Sequence, residues 1–420
     1  MRALLASTLC SSMLLSTALT ISGTSGIARG APLVGVGQTQ QGTASPAPAN
    51  EFDRLRTEGF DAIYNLDYQT ARERFESMSR LAPDHPAGWL YQANNLWLET
   101  LNRSRRLLTS VYTSGSFYQE VSKDDKVDPK RDQAFRDLIS HALDAANAKL
   151  VKNADDAQAL YYQASALGLR AAYSTSVKRS FRGAIGDANK SIQLHKRVLK
   201  LDPSYIDSYL SIGLYEYVIG SLPLVWRVLA RFAGLKGSKK KGIEELEQVV
   251  RSGKLTNDDA RVVLIGIYNK EGQPERSLAL LTDLGTRYPR NYLFRIEQGT
   301  MLFQLNRKAE AERVFSDLVK DKPVSDAAAD VVYYSWGLAL GEKGDYSSAI
   351  ERFNEVKHWP RSDSGLVSLA YLNAGKSLDA MGKRAEAVAE YQAVLKRDNV
   401  FDSHKQASEY VKKPFVPSKV

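Results

Sequence analysis

The chain has 420 residues, of which 43% are apolar and 25% charged, enough for two or three compact domains or one extended array of repeats. Its formal net charge of +9 is mild for this length. It favours anionic partners or surfaces without requiring nucleic acid. The single cysteine, Cys10, excludes an intramolecular disulfide framework and a thiolate metal site.

Residues 1–30 have the pattern of a secretory signal peptide. Arg2 precedes an apolar stretch, and Ala28 and Gly30 supply small residues before a cut after Gly30. Retention as an uncleaved anchor is the alternative, but Ser and Thr interrupt the apolar run and favour cleavage. We therefore expect the mature chain in the periplasm of a Gram-negative-type bacterium, or secreted, with an association to the envelope left open. Residues 31–50 are rich in Gly, Gln, Ser, Ala and Pro and predict a disordered linker.

A pattern of about 34 residues recurs between residues 51 and 400. In one copy Gly59 is followed by Ala71 and then by Phe75, and later copies keep these offsets. The first position is small in most copies: Gly59, Ala93, Ala164, Gly213, Gly299, Gly337 and Gly375. A small residue lets a second helix approach, the alanine lies at the crossing, and the aromatic ring fills the gap to the next unit. A proline near the end of a unit, such as Pro323, is expected to stop the second helix.

These offsets resemble the tetratricopeptide repeat, whose unit is a pair of helices. The resemblance implies an all-α fold, an α-solenoid of about eight helix pairs over residues 51–400 with almost no strand. Residues 401–415 have few apolar positions and are expected to form a C-terminal capping helix. Most of the mature chain is similar to exported bacterial tetratricopeptide proteins of undefined role.

The spacing of the small residue shows where the array is irregular. From Ala93 to Ala164 it is 71, which we interpret as two units with a degenerate middle one and a loop over residues 113–132. From Gly299 to Gly337 it is 38, which predicts a slightly longer loop.

The spacing of 52 between Gly213 and Ile265 predicts an insertion. The residue pattern of a second helix would be expected near residue 225, but in this unit it begins at Gly242. Residues 221–238 are therefore predicted to form an extra element between the paired helices. Pro223 suits the start of a short helix there and Gly234 suits its end.

The inserted helix is amphipathic. Leu224, Val225, Val228, Leu229 and Phe232 fall on one face, with arginines on the other, and about ten residues cannot span a bilayer. We prefer the interpretation that the apolar face packs on neighbouring repeats. The alternative places the insertion on a membrane surface or a partner. The residues of that alternative contact surface are Trp226, Arg227, Arg231, Lys236, Lys239, Lys240 and Lys241.

The segment over residues 203–250 also resembles a eukaryotic family of outer-mitochondrial-membrane and inclusion-body-clearance tetratricopeptide proteins. The resemblance is carried by the Leu-Pro-rich helix followed by Gly234, Gly237 and Gly242. It implies a scaffold or adaptor linked to lipid or aggregate handling. The signal peptide departs from that family, whose members face the cytosol.

The sequence offers no motif for catalysis. Its five histidines have no metal-ligand spacing, and nucleotide-binding and nucleophile motifs are absent. We therefore predict no enzyme activity, no catalytic residues, no metal and no cofactor. Basic residues concentrate over 178–200, but few aromatics lie between them for base stacking, so nucleic acid is not the favoured partner.

A protein or peptide partner is expected on the concave face of the array, at first-helix positions that do not serve packing within the unit. These positions are Tyr64, Asn94, Trp97, Tyr161, Tyr217, Asn269, Phe303, Tyr334, Asn373 and Lys376. The alternative for each aromatic is packing between repeats. The partner's identity and the oligomeric state stay open.

Overall fold

A computed structural model of the protein describes residues 51–107, 127–232 and 235–417. The predicted signal peptide and linker lie outside these residues. The described part is helical and contains no strand. Its α-helices are α1 (Glu51–Tyr64), α2 (Tyr68–Leu81), α3 (Pro86–Arg103), α4 (Pro129–Lys152), α5 (Ala157–Ser176), α6 (Phe181–Leu201), α7 (Tyr209–Gly220), α8 (Leu224–Phe232), α9 (Lys239–Ser252), α10 (Asn257–Lys270), α11 (Pro274–Arg287), α12 (Tyr292–Gln304), α13 (Lys308–Lys320), α14 (Lys322–Glu342), α15 (Tyr346–His358), α16 (Ser364–Ala380), α17 (Arg384–Val394) and α18 (Ser403–Lys412).

The helices stack as eight pairs in chain order. The pairs are α1–α2, α3–α4, α5–α6, α7–α9, α10–α11, α12–α13, α14–α15 and α16–α17. α18 packs on α17 and α16 and ends the described array. This confirms the predicted all-α solenoid of about eight tetratricopeptide-like pairs, with an inserted helix and a C-terminal capping helix.

The crossing inside a pair depends on a glycine facing an aromatic ring. A Cβ atom placed on Gly337 would lie 2.7 Å from Cε1 of Phe353, and Ala349 is fully buried beside this contact. The same arrangement recurs at Gly59 with Phe75, Gly299 with Phe315 and Gly375 with Tyr391. The predicted roles of the small residue and the alanine are therefore confirmed. The aromatic ring lies inside its own pair against the glycine, and at Phe315 it also stacks on Trp336 of the next unit, at 5.5 Å.

Two irregularities differ from the predictions. α3 packs directly on α4, and α4 starts at Pro129, where Asp128 accepts a hydrogen bond from the Lys130 amide. The described helices between Ala93 and Ala164 thus make one pair, and the predicted degenerate unit falls partly on residues that the structure does not describe. The predicted loop is helical from Pro129 onward, and residues 108–126 lie outside the described part.

Pro323 starts a helix instead of stopping one. It lies in the first turn of α14, where its missing N–H costs nothing. The extra residues of the 38-residue spacing form a helical turn before a kink at Ala328, whose φ is −151°. The buried Asp330 carboxylate just after the kink accepts hydrogen bonds from the amides of Val331 and Asp363.

The coil of the solenoid brings its first units against its later ones. The Asn291 side-chain amide donates to the Tyr64 carbonyl at 2.7 Å, and the Tyr64 ring stacks on Tyr288 at 4.8 Å. Beyond α3, Arg105 forms an ion pair with Asp330 at 3.2 Å. These contacts join units one and two to units five, six and seven.

Candidate functional site

The aromatic residues predicted for the concave face are core residues. Tyr161, Tyr217, Phe303 and Tyr334 are each no more than 5% exposed. This corrects their assignment to an accessible groove, because they pack against side chains of their own unit and of the neighbouring unit. The interpretation that aromatics pack between repeats holds for these four.

The other predicted concave-face residues are half-buried and spread along the array: Tyr64, Asn94, Trp97, Asn269, Asn373 and Lys376. Most of them are held by neighbours within the chain. The Trp97 indole donates to the Ser176 hydroxyl at 2.8 Å, and the Asn373 amide donates to the Tyr334 hydroxyl at 3.2 Å. These residues therefore do not converge on one site.

Lys376 belongs to the C-terminal closure. Its ammonium donates to the Gln406 side chain at 3.2 Å and lies over the rings of Tyr410 and Phe415. Burial lowers the pKa of Lys376 to about 8. A cation over two aromatic rings is stabilised by their π faces, so this lysine helps to hold α18 in place.

An acidic cluster lies where the coil closes. The Tyr64 hydroxyl donates to Asp259 of α10, and neighbouring Asp258 accepts from Tyr288 and from Arg287. Burial raises the pKa of Asp259 to about 6. The hydrogen bond from Tyr64 acts in the opposite direction and lowers this pKa, whereas the negative charge of Asp258 raises it further. Sequence analysis missed this cluster because two acids in a first helical turn look like ordinary dipole partners.

The inserted helix α8 presents its apolar side chains to solvent. Leu224 is 67% exposed, Val225 69%, Val228 46% and Phe232 87%. The preferred prediction, that this face packs on neighbouring repeats, is therefore wrong for these residues. The reason is that α8 packs mainly on α7, with little else of the described array near it. Gly234 and the side chains of Trp226 and Leu229 lie outside what the structure describes.

A cavity of about 480 Å³ separates α8 from the start of α9. Its lining consists of Gly220, Leu224, Arg227, Val228, Arg231, Gly237, Ser238, Lys239 and Lys240. The two arginines thus share the cavity side of α8 with Leu224 and Val228. This corrects the prediction that the arginines occupy a face opposite the apolar residues.

The other basic residues of the insertion differ in their partners. Lys239 pairs with Glu271 at 2.7 Å, and Lys241 pairs with Glu216 at 3.2 Å and Glu245 at 3.4 Å. These two lysines therefore tie α9 to α7 and α10. Lys236 and Lys240 are exposed, and Lys240 has only a 3.9 Å contact with Glu244.

Glycines position the start of α9 against α7. A Cβ on Gly237 would lie 2.6 Å from the carbonyl oxygen of Glu216, and one on Gly220 would collide with the backbone amide of Lys239. Only glycine permits this approach. The Ser238 hydroxyl then accepts a hydrogen bond from the Lys241 amide and caps the helix.

The described residues contain no group of three or more His, Cys, Asp or Glu side chains that could hold a metal ion. Across ranges 51–107, 127–232 and 235–417, no helix combines the length and apolar character needed to cross a membrane.

Comparison with known proteins places part of the chain in a family context. Residues 207–396, somewhat less than half of the chain, match the family Iml2/Tetratricopeptide repeat protein 39. The match includes α7, the insertion and the pairs that follow up to α17. No curated protein matches this sequence. The match and the helix pairs agree on a tetratricopeptide-like array of helices.

Solved structures with similar helical arrays share little sequence with this chain. A thermophilic TPR protein of Thermus thermophilus is 13% identical, covering 60% of this chain and 98% of its own, with a TM-score of 0.33. Yeast Tom70 is 11% identical, covering 86% and 87%, with a TM-score of 0.40. Human IFIT1, solved as a dimer with m7Gppp-AAAA, is 11% identical, covering 88% and 87%, with a TM-score of 0.42. Likenesses at this level carry no argument about function.

Proposed function

We propose that this tetratricopeptide-repeat protein is a non-catalytic adaptor that attaches to an anionic membrane surface through α8 and the basic residues around it. The observation that carries the proposal is the exposure of four large apolar side chains on one short helix. Export through the predicted signal peptide, with the mature chain in the periplasm or secreted, is part of the same proposal.

The size of α8 suits a helix that lies on a membrane. Its nine residues extend about 13 Å, against about 30 Å for the bilayer hydrocarbon. Fully burying a side chain such as Val225 or Phe232 is worth about 1.5–3 kcal/mol. Each nearby lysine or arginine adds about 1 kcal/mol at an anionic surface. Insertion of α8 side chains and attraction of its cations would therefore act together.

A protein or peptide partner is the second candidate, because the tetratricopeptide scaffold supports a protein-binding adaptor role. At the predicted concave face such a partner would meet the half-buried Asn94, Trp97, Asn269, Asn373 and Lys376 rather than the buried aromatics. Capture of partners from an envelope fraction tests this. A double Asn94→Ala and Asn269→Ala substitution that leaves every captured partner undiminished would speak against that face.

Vesicle flotation of the full chain tests membrane attachment. We expect retention on vesicles that contain phosphatidylglycerol, little retention on pure phosphatidylcholine, and weakening by salt. Lys236→Glu with Lys240→Glu should reduce retention severalfold, since both lysines are exposed and Lys240 has only an exposed 3.9 Å contact with Glu244. Lys396→Glu with Lys405→Glu makes the same charge change at the far end and is the control. Equal retention on both vesicle types, no retention, or an unaffected Lys236/Lys240 variant would contradict the proposal.

A further inference from the structure

The cavity between α8 and α9 is built by the local sequence. Gly220 and Gly237 bring the two chain segments together, and Ser238 fixes where α9 begins. At about 480 Å³ the cavity falls within the range of small-molecule sites, about 300–1,000 Å³. It opens beside the exposed apolar side chains of α8, which continue from its rim.

The charged residues that line the cavity are all basic, and Glu271 and Glu244 lie close to two of them. Four of its nine lining residues are cationic and none is acidic. Glu271 offsets Lys239, and the Arg227 guanidinium donates weakly to the Gly220 carbonyl at 3.4 Å. Arg231 has no acidic partner within the described residues. A guanidinium offers paired donors that match the oxygens of a phosphate, so Arg231 is the strongest free anchor.

The lining is also partly apolar. Leu224 and Val228 share the cavity with the cations, and Val225 and Phe232 are exposed next to it. A free phosphate ion would leave this apolar lining facing water, whereas a phosphate that carries acyl chains would cover it. A ligand with both parts is an anionic phospholipid.

We infer that this cavity binds the phosphate headgroup of an anionic phospholipid, with Arg231 as its main anchor and Arg227 and Lys240 beside it. The inference rests on the proposed membrane attachment and adds a specific headgroup site to it.

Titration calorimetry of the full chain with a short-chain lipid tests the site without a membrane. The probe is dihexanoylphosphatidylglycerol below its micelle concentration, with dihexanoylphosphatidylcholine and inorganic phosphate as comparisons. We expect the wild type to bind the anionic lipid at least about tenfold more tightly than either comparison. Arg231→Gln should weaken that binding about tenfold or more. Lys396→Gln removes the same charge from an exposed site at the far end of the array and should leave the affinity unchanged.

The outcomes separate the site from the attachment. Retention on anionic vesicles without short-chain binding, or equal affinity of the Arg231→Gln variant and the wild type, would overturn the site and leave the attachment standing. Short-chain binding without vesicle retention would support the site and overturn the attachment. Inorganic phosphate that binds as tightly as the lipid would overturn the lipid assignment. Thermal unfolding of the Arg231→Gln variant should match the wild type, because Arg231 is exposed.

Discussion

The Tyr64 hydroxyl of α1 donates a hydrogen bond to the Asp259 carboxylate of α10, across 195 residues of sequence. The Tyr64 ring also stacks on Tyr288, at the end of the same repeat unit as Asp259. One residue of the first unit thus meets the fifth unit twice. This contact closes the coil and turns a predicted concave-face tyrosine into a structural one.

Loss of the Tyr64 hydroxyl should destabilise the closed array. Tyr64→Phe keeps the ring on Tyr288 but leaves the Asp259 carboxylate short of a donor in a poorly solvated place. We expect the free energy of unfolding at neutral pH to fall by about 1–3 kcal/mol. Urea unfolding measures it. Tyr346→Phe at the start of α15, whose hydroxyl makes no closing contact, is the control, and an equal loss in both variants would contradict this role.

Asp259 should make stability depend on pH. Its pKa is raised from 3.8 to about 6 in the folded chain, so the folded state holds more protons than the unfolded state between these values. This contribution is therefore fully present below about pH 4 and is lost as the pH rises through about 6. Relative to Asp259→Asn, the wild type should lose about 1–3 kcal/mol of unfolding free energy across that window.

The pH experiment needs a comparison that removes other titrating groups. Unfolding free energies of the wild type and of Asp259→Asn are measured at several pH values, and their difference isolates Asp259. The exposed Asp84→Asn variant serves as the control. A difference between wild type and Asp259→Asn that stays constant with pH would contradict the raised pKa.

The glycine at the helix crossing can be tested within one helix. Gly337→Ala places a methyl group 2.7 Å from the Phe353 ring, so we expect a loss of about 1–3 kcal/mol from overpacking. Gly341→Ala in the same helix meets only Ala349, at 3.8 Å. Its better helix propensity should make it neutral or more stable by up to about 1 kcal/mol. Thermal unfolding of the two variants measures the difference in stability. Equal effects of the two substitutions would show that the contact with Phe353 does not cause the loss of stability.

Sequence analysis predicted what depends on contacts within a unit. The offset from Gly337 to Phe353 lies inside one helix pair, so the pattern alone identified the crossing. The spacing of the repeat positions also predicted that Gly213 pairs with Gly242 across the insertion. In the structure each of these glycines packs against the backbone of the other.

What the sequence could not reveal depends on contacts between units. Tyr217 packs against Leu264 and Ile267 of the next unit. The Tyr334 hydroxyl accepts a hydrogen bond from Asn373 of the next unit, and no repeat offset encodes either contact. Likewise, the apolar residues of α8 look like packing residues in sequence. Only the position of α8 outside the stack shows that they are exposed.

The exposed side chains of α8 should matter little for folding. Val225→Ser with Phe232→Ser should change the free energy of unfolding by no more than about 0.5 kcal/mol per site, because both residues are exposed in the folded chain. Ala71→Ser is the comparison variant. Ala71 is fully buried at a helix crossing, so this substitution should lower the free energy of unfolding. Strong destabilisation by the α8 variant would mean that α8 packs on the array after all.

Vesicle flotation of that same Val225→Ser and Phe232→Ser variant tests the membrane proposal most directly, because it changes the apolar face and no charge. We predict that the wild type floats with anionic vesicles and that the variant, folded and equally stable, stays largely unbound. Retention of the variant equal to that of the wild type, or a wild type that never floats, would contradict attachment through α8.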